Sequence, residues 1–293
     1  MRSILTYISP WDFSPTVLIA CLVPAVLYVR GLRALGARGE RVGCGAALAF
    51  LLALTLDYVV LQTYFDYLAQ HMFWIHRLQH LVLHHLAPVL MVLATPGRVI
   101  EAGVPAGWLE RGERLARDRK LLGVLRSTLR SAFRAVQNPV VAPLLFVGLI
   151  YFWLIPSIHF GAMLDIHRYD AMNWSMAVDG ILFWWLMLGP RRAHGLVSIG
   201  YGARVVILFL IMLPQIAIGA YIALTRHLIY DVYAICGRAW AVSPITDQHL
   251  GGLLTWIPAA MMSVFAMLVI LRRVLLAEAA AAALQARAPQ PVD

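Results

Sequence analysis

The strongest constraint on this chain is a series of apolar runs, each close to the length a helix needs to cross a hydrocarbon layer, about 20 residues. Seven stand in the sequence, near 14–31, 45–65, 74–95, 139–158, 174–190, 204–224 and 250–271. Inside a bilayer a backbone amide has no water to bond, so such runs become helices that satisfy their own polar groups. The sequence therefore predicts an all-α, polytopic membrane bundle of seven transmembrane helices in a single domain, 1–293. Charge agrees: 13% of residues are charged, where soluble chains are nearer about 25%. No internal repeat is visible. The first run continues into Arg30 rather than a small-residue cleavage site, so no cleaved leader is expected. Cys21, Cys44 and Cys236 lie far apart, without a CxxC, and give neither a disulfide framework nor a thiolate metal site.

The formal net charge of +9 is distributed as a topology signal. Arg30, Arg33, Arg38 and Arg41 follow the first run. Arg98, Arg111, Arg114, Arg117, Arg119, Lys120, Arg126, Arg130 and Arg134 follow the third. Arg191, Arg192 and Arg204 follow the fifth, and Arg272, Arg273 and Arg287 the last. The other faces carry only Arg2, Arg77, Arg168, Arg226 and Arg238. Basic connections stay in the cytoplasm, which predicts an outer N-terminus and a cytoplasmic C-terminus. The charge thus needs no nucleic-acid partner. Within the 97–137 connection, Leu115, Leu122, Leu125, Leu129, Phe133 and Val136 recur at helical spacing between basic residues. That pattern predicts an amphipathic helix lying on the anionic inner face of the lipid bilayer. The Ala-rich 278–293 is expected to be a flexible tail.

In this orientation the segment HRLQHLVLHHLAP places four histidines in the outer half of the third run. At about 1.5 Å per residue, His84 sits roughly 15 Å below its outer end. His76, His80 and His84 are spaced i, i+4, i+8 and share one stripe of an α-helix, whereas His85 points about 100° away, toward His71. An i, i+4 pair lets two imidazoles reach one metal ion. Polar groups at this depth turn into the bundle and mark function. Imidazole suits copper, zinc and iron. Met72, Met163, Met172 and Met176 lie at the same level, and such soft ligands favour Cu(I). The competing expectation is interhelical hydrogen bonding, with His84 and His85 paired to Asp57 or Asp66. Asp66, at the end of a run, reads as a solvated boundary residue.

Three stretches resemble the CtaG-type family of cytochrome c oxidase assembly factors, seven-helix bacterial membrane proteins. HRLQHLVLHHLAPVLMVLATP is similar to that family's HMxQH…APPLL…GxP pattern, with His76, Gln79, His80, Pro88 and Pro96 on its positions. FWLIP followed by GILFWW resembles its fourth and fifth spans. SPITDQHLGGLLTWIP resembles its DQxxGGxxMWxP segment through Asp247, Gln248, Gly251, Gly252, Trp256 and Pro258. Leu154 stands where the family usually has a histidine, and Met172 and Asn173 where it has Glu-His; His84 and His85 fall where it is apolar.

The resemblance implies a non-enzymatic factor of the bacterial inner membrane. It would aid copper delivery to the binuclear centre of the oxidase catalytic subunit, with that subunit or another assembly factor as its partner. On that reading His76 and His80 are the first ligands, and His84, His71 or His249 completes the set. Asp247 and Gln248 cap the last span or orient a ligating histidine. The alternatives are a metal-independent scaffold for oxidase subunits and a b-type haem protein with axial histidines. A transporter is disfavoured because the inner half holds few polar groups beyond Asp57 and Asp179. A hydrolase is disfavoured because there is no HExxH and no acid paired with a nucleophile.

Overall fold

The computed structural model describes residues 9–118, 120–189 and 199–287. Arg2, Arg119, Arg191, Arg192, His194 and the end of the tail lie outside them. Among the described residues the fold is all-α. In chain order the helices are α1 (Pro15–Ala37), α2 (Cys44–Gln62), α3 (Tyr64–His71), α4 (Phe73–Leu81), α5 (Ala87–Leu93), α6 (Gly97–Gly103), α7 (Trp108–Asp118) and α8 (Lys120–Val136). There follow α9 (Val141–Leu154), α10 (Pro156–Met163), α11 (Ile166–Leu188), α12 (Tyr201–Leu224), α13 (Val232–Cys236) and α14 (Pro244–Arg287). A π turn, Val82–Leu86, joins α4 to α5.

Local chemistry sets the ends of these helices. Pro15 opens α1 at a position where its missing N–H costs nothing. Thr63 accepts the Phe65 amide at the start of α3, and Ser243 accepts the Thr246 amide at the start of α14. Asp165 accepts the Arg168 amide at the start of α11, and that bond holds its carboxylate below the usual range. The far end of α11 is closed by cations. Arg204 donates to the Met187 and Gly189 carbonyls, and Arg273 donates to Leu188. This matches the sign of a helix C-terminus.

Seven rods, α1, α2, α4–α5, α9, α11, α12 and α14, alternate in direction. The Trp11 amide bonds the Gln62 carbonyl, so α1 begins where α2 ends. Gln137, before α9, donates to Leu182 near the end of α11, while Trp153, at the end of α9, donates to Ser175 near its start. Close contacts rest on small residues. A Cβ on Gly252 would meet the Ala223 backbone nitrogen at 2.4 Å, and one on Gly219 would meet Trp256 at 2.6 Å, so α12 and α14 touch along their length. Gly31 and Gly103 serve α1 and α6 in the same way.

Among the described residues, four helices are long and apolar enough to cross a membrane on their own: α1, α2, α12 and α14. The rod Phe73–Leu93 and the helix α9 also qualify, each when taken with a neighbour set at a sharp angle: α6 at 73° and α8 at 82°. This makes up to six candidate spans where the sequence predicts seven. The rod left out is α11, which carries His167, Arg168, Asp170, Asn173 and Asp179, yet about half of its residues are buried. The outside of the bundle is apolar, with Leu48 and Leu144 each 68% exposed. So broad an apolar surface belongs against lipid.

The π turn interrupts the α geometry of the histidine rod. Pro88 has no N–H to give the His84 carbonyl four residues back. The Ala87 amide bonds Val82 instead, five residues back. The freed His84 carbonyl accepts the Trp184 indole N–H of α11 at 3.0 Å. Gly180 makes this approach possible, since a Cβ there would lie 2.7 Å from the same oxygen. His80 and His84 still both meet α11, at Asn173 and Asp179, across the start of the turn.

The DQ pair of α14 works across the bundle. Asp247 does not cap its own helix, where Ser243 already acts. Its carboxylate accepts the Phe73 and Trp74 amides at 3.2 and 2.9 Å, capping α4 from α14, and Arg238 lies 3.4 Å away. Gln248 accepts the Ile229 amide and donates to the His227 carbonyl, bracing the 225–232 connection. Gly251 leaves room for Phe73 and the Arg77 stem.

Two outcomes are expected. Trp184→Phe strands the His84 carbonyl and lowers stability by about 1–3 kcal/mol. Pro88→Ala in that background restores part of the loss, because an amide at 88 can bond that carbonyl again; thermal unfolding in detergent reads both. Asp247→Ala costs a similar amount, about 1–3 kcal/mol, by stripping two amides of their acceptor. Asp247→Asn keeps an acceptor and loses less.

Candidate functional site

His76, His80, His84 and His85 are all buried on the α4–π-turn rod, and His80 and His84 bond Asn173 and Asp179 of α11. His76 packs ring to ring with His80 at a centroid distance of 4.3 Å and with His159 of α10 at 5.2 Å. Both of its ring nitrogens are buried without a hydrogen-bond partner. That is an expensive arrangement for an imidazole that only fills space.

The bonds of the other histidines fix what each can do. Arg77 donates to His80 Nδ1 at 3.3 Å. Arginine is only a donor, so Nδ1 is the bare nitrogen of a neutral ring and Nε2 carries the proton. That N–H meets Asn173 Oδ1 at 3.2 Å, and both nitrogens of His80 are engaged. His159 donates from Nδ1 to the Trp153 carbonyl at 3.1 Å and accepts the Tyr233 hydroxyl at Nε2, 3.0 Å. It too is engaged on both sides.

Deeper in the bundle, His84 Nε2 lies 3.0 Å from Asp179 and the ring stacks on Phe146, centroids 4.0 Å apart. Its Nδ1 has no partner. His85 lies beside the Gln215 amide without closing a hydrogen bond to it. Neither histidine reaches Asp57 or Asp66. Asp57 keeps one buried oxygen without a partner. Asp66 is not a solvated boundary residue: it is 8% exposed and accepts Gln79, Gln70 and the Tyr169 hydroxyl at 2.7–2.8 Å. Gln79 also donates to the Val60 carbonyl, tying α4 to α2.

His71 and His249 stand apart from the cluster. His71 donates to the Tyr67 carbonyl at 2.7 Å and packs tilted against the Tyr67 ring, and His249 donates to the Thr225 carbonyl at 2.9 Å. Among the described residues no three His, Cys, Asp or Glu side chains converge on a common ion position. The groups that sequence reasoning left out are Arg77, Tyr169, Asn173 and His159. The signal for His159 was present: Pro156 breaks the rod after α9, and the short helix that follows turns this histidine inward.

A family model described as cytochrome c oxidase caa3 assembly factor (Caa3_CtaG) matches residues 26–276. Uncharacterized protein ML1998 of Mycobacterium leprae is 25% identical over 264 residues, 87% of this chain and 38% of its own length. Uncharacterized protein Mb0105 of Mycobacterium bovis is 27% identical over 256 residues, 84% of this chain and 36% of its own. This chain thus spans less than two fifths of the relatives it matches. No solved structure matches it. With the family model covering the bundle from within α1 into the long last helix, the chain belongs to the Caa3_CtaG family of cytochrome c oxidase caa3 assembly factors.

Proposed function

We propose that this protein is a non-catalytic maturation factor for cytochrome c oxidase in the bacterial inner membrane. All seven rods cross the bilayer. The polar groups of α11 do not forbid this, because Tyr169, Asn173 and Asp179 turn toward α4 and the π turn rather than toward lipid. The N-terminus is outside and the C-terminus cytoplasmic, as the arginine distribution requires. The near-right-angle bend at α8 supports a helix lying on the inner surface, with Leu125, Leu129 and Phe133 in the lipid and its arginines among anionic headgroups.

The finer reading is that the outer half of the bundle handles Cu(I) for the oxidase catalytic subunit or for another assembly factor. The observation that carries it is His76. A fully buried imidazole with two unpartnered nitrogens fits a soft cation that takes neutral nitrogen ligands. His76 would hold the ion, with His80 and His159 as the neighbouring imidazoles, and the bound ion would supply a labile centre for ligand exchange. His80 and His159 are engaged by Arg77, Asn173, Trp153 and Tyr233, and each would have to release a partner to share the ion. These same bonds favour a second reading, a metal-independent scaffold for oxidase subunits. A b-type haem fits less well, since the cavity beside His80, His84 and His85 is about 10 Å³.

The test is copper content of the detergent-purified protein after Cu(I) loading and desalting, alongside oxidase maturation in cells. Wild type is expected to retain copper and His76→Ala to lose it, with a parallel loss of assembled oxidase. Copper retained by neither form, with oxidase still assembled by His76→Ala, would replace the copper reading with the scaffold.

A further inference from the structure

Arg77 is a permanent charge in an apolar bundle. It is 4% exposed on α4. Its Nε donates to Thr255 Oγ1 at 3.1 Å, and one terminal nitrogen donates to His80 Nδ1. Both partners are neutral: Thr255 gives its own proton to the Gly251 carbonyl, and His80 is neutral because Arg77 occupies its bare nitrogen. No Asp or Glu among the described residues forms an ion pair with this guanidinium. Asp179, the carboxylate of this region, is bonded to His84 instead, and Asp247 meets Arg238. Arginine does not shed its proton, and an uncompensated cation in a low-dielectric bundle is strongly disfavoured.

Arg77 faces a cavity. The space between α4, the π turn, α9 and α14 is about 10 Å³, lined by Arg77, His80, His84, His85 and Thr255 and closed by Ile150. That is about room for one species of water size. His84 and His85 line this wall, and His84 Nδ1 and both ring nitrogens of His85 are buried without hydrogen bonds. A neutral imidazole carries N–H on one nitrogen. The His85 ring therefore adds a neutral, polar edge beside the unpaired guanidinium.

We infer that this cavity binds a single small inorganic monoanion, of chloride size, as the counter-ion of Arg77. The anion neutralises the guanidinium, with the His84 and His85 rings beside it. It is separate from His76, whose free nitrogens are not part of this wall, so the inference stands whether or not the protein handles copper. Bound here, the anion ties α4 to α14 at the level of the π turn. It also keeps Arg77 in place, and with it the neutral, engaged state of His80.

The experiment uses metal-free, full-length protein in detergent, exchanged at matched ionic strength into sodium gluconate, too large for the cavity, or sodium chloride. Chloride is expected to raise the melting temperature saturably, by about 5 °C at about a hundred-fold excess over Kd. Ala259→Val, which fills the cavity wall without touching a charge, is expected to lose that response. Arg77→Gln is expected to lose it too if the variant folds. On the wild type alone, bromide in crystals is expected to give an anomalous peak against the guanidinium. Equal melting in gluconate and chloride, with no bromide peak, would overturn the inference and make the occupant water. An undiminished chloride response in Ala259→Val would overturn it as well, by placing the anion elsewhere.

Discussion

The organising constraint is the cost of a polar group in a bundle that has no water to offer. Almost every long-range bond described here answers it. Asp66 collects two amides and a hydroxyl from α3, α4 and α11. Asp247 collects the first two amides of α4. The His84 carbonyl, orphaned by Pro88, is met by Trp184. The bundle is held by apolar packing, but its register is held by these bonds, because each is satisfied in only one alignment of the rods. A helix sliding by one turn past its neighbour would leave several groups bare at once.

This explains the place of α11. By composition it is the rod least suited to lipid, and it falls short where the four apolar helices qualify on their own. By position it meets other helices more than lipid. Twelve of its residues are buried, among them Asn173, Asp179 and Trp184, and they serve the histidine rod opposite. A helix can carry polar groups through a membrane when other helices, rather than acyl chains, surround them.

Most of the architecture was legible in the sequence, since a 3.6-residue period and a 20-residue length are local properties. The apolar runs fell on the rods, and the glycines of the GGLLTW stretch fell on a close helix crossing. What was not legible depended on which side chain another rod would present. The expected stripe of His76, His80 and His84 assumed unbroken α geometry, whereas the rod carries a π turn just before Pro88. Asp247 looked like a cap for the helix it begins, and it caps a different one. The expectation that Asp66 is solvated failed because Tyr169 and Gln79 reach it from segments distant in sequence. His71 and His249 matched in residue type and depth, yet their nearest carbonyls claimed them first.

The π turn also has a consequence for how this rod can change over time. A five-residue π turn is the shape left by one residue added to an α-helix that then kept its neighbours on either side. Deleting one residue between Val82 and Leu86 would heal the backbone into regular α geometry, and by the simplest local measure improve it. It would also rotate everything before it by about 100° relative to everything after. With α5 docked on α2 and α11, His76, Arg77 and His80 would turn off their partners toward other surfaces. The wide turn is thus a phase setting between two halves of one rod, and a mutation that tidies the backbone would scramble the interior it serves.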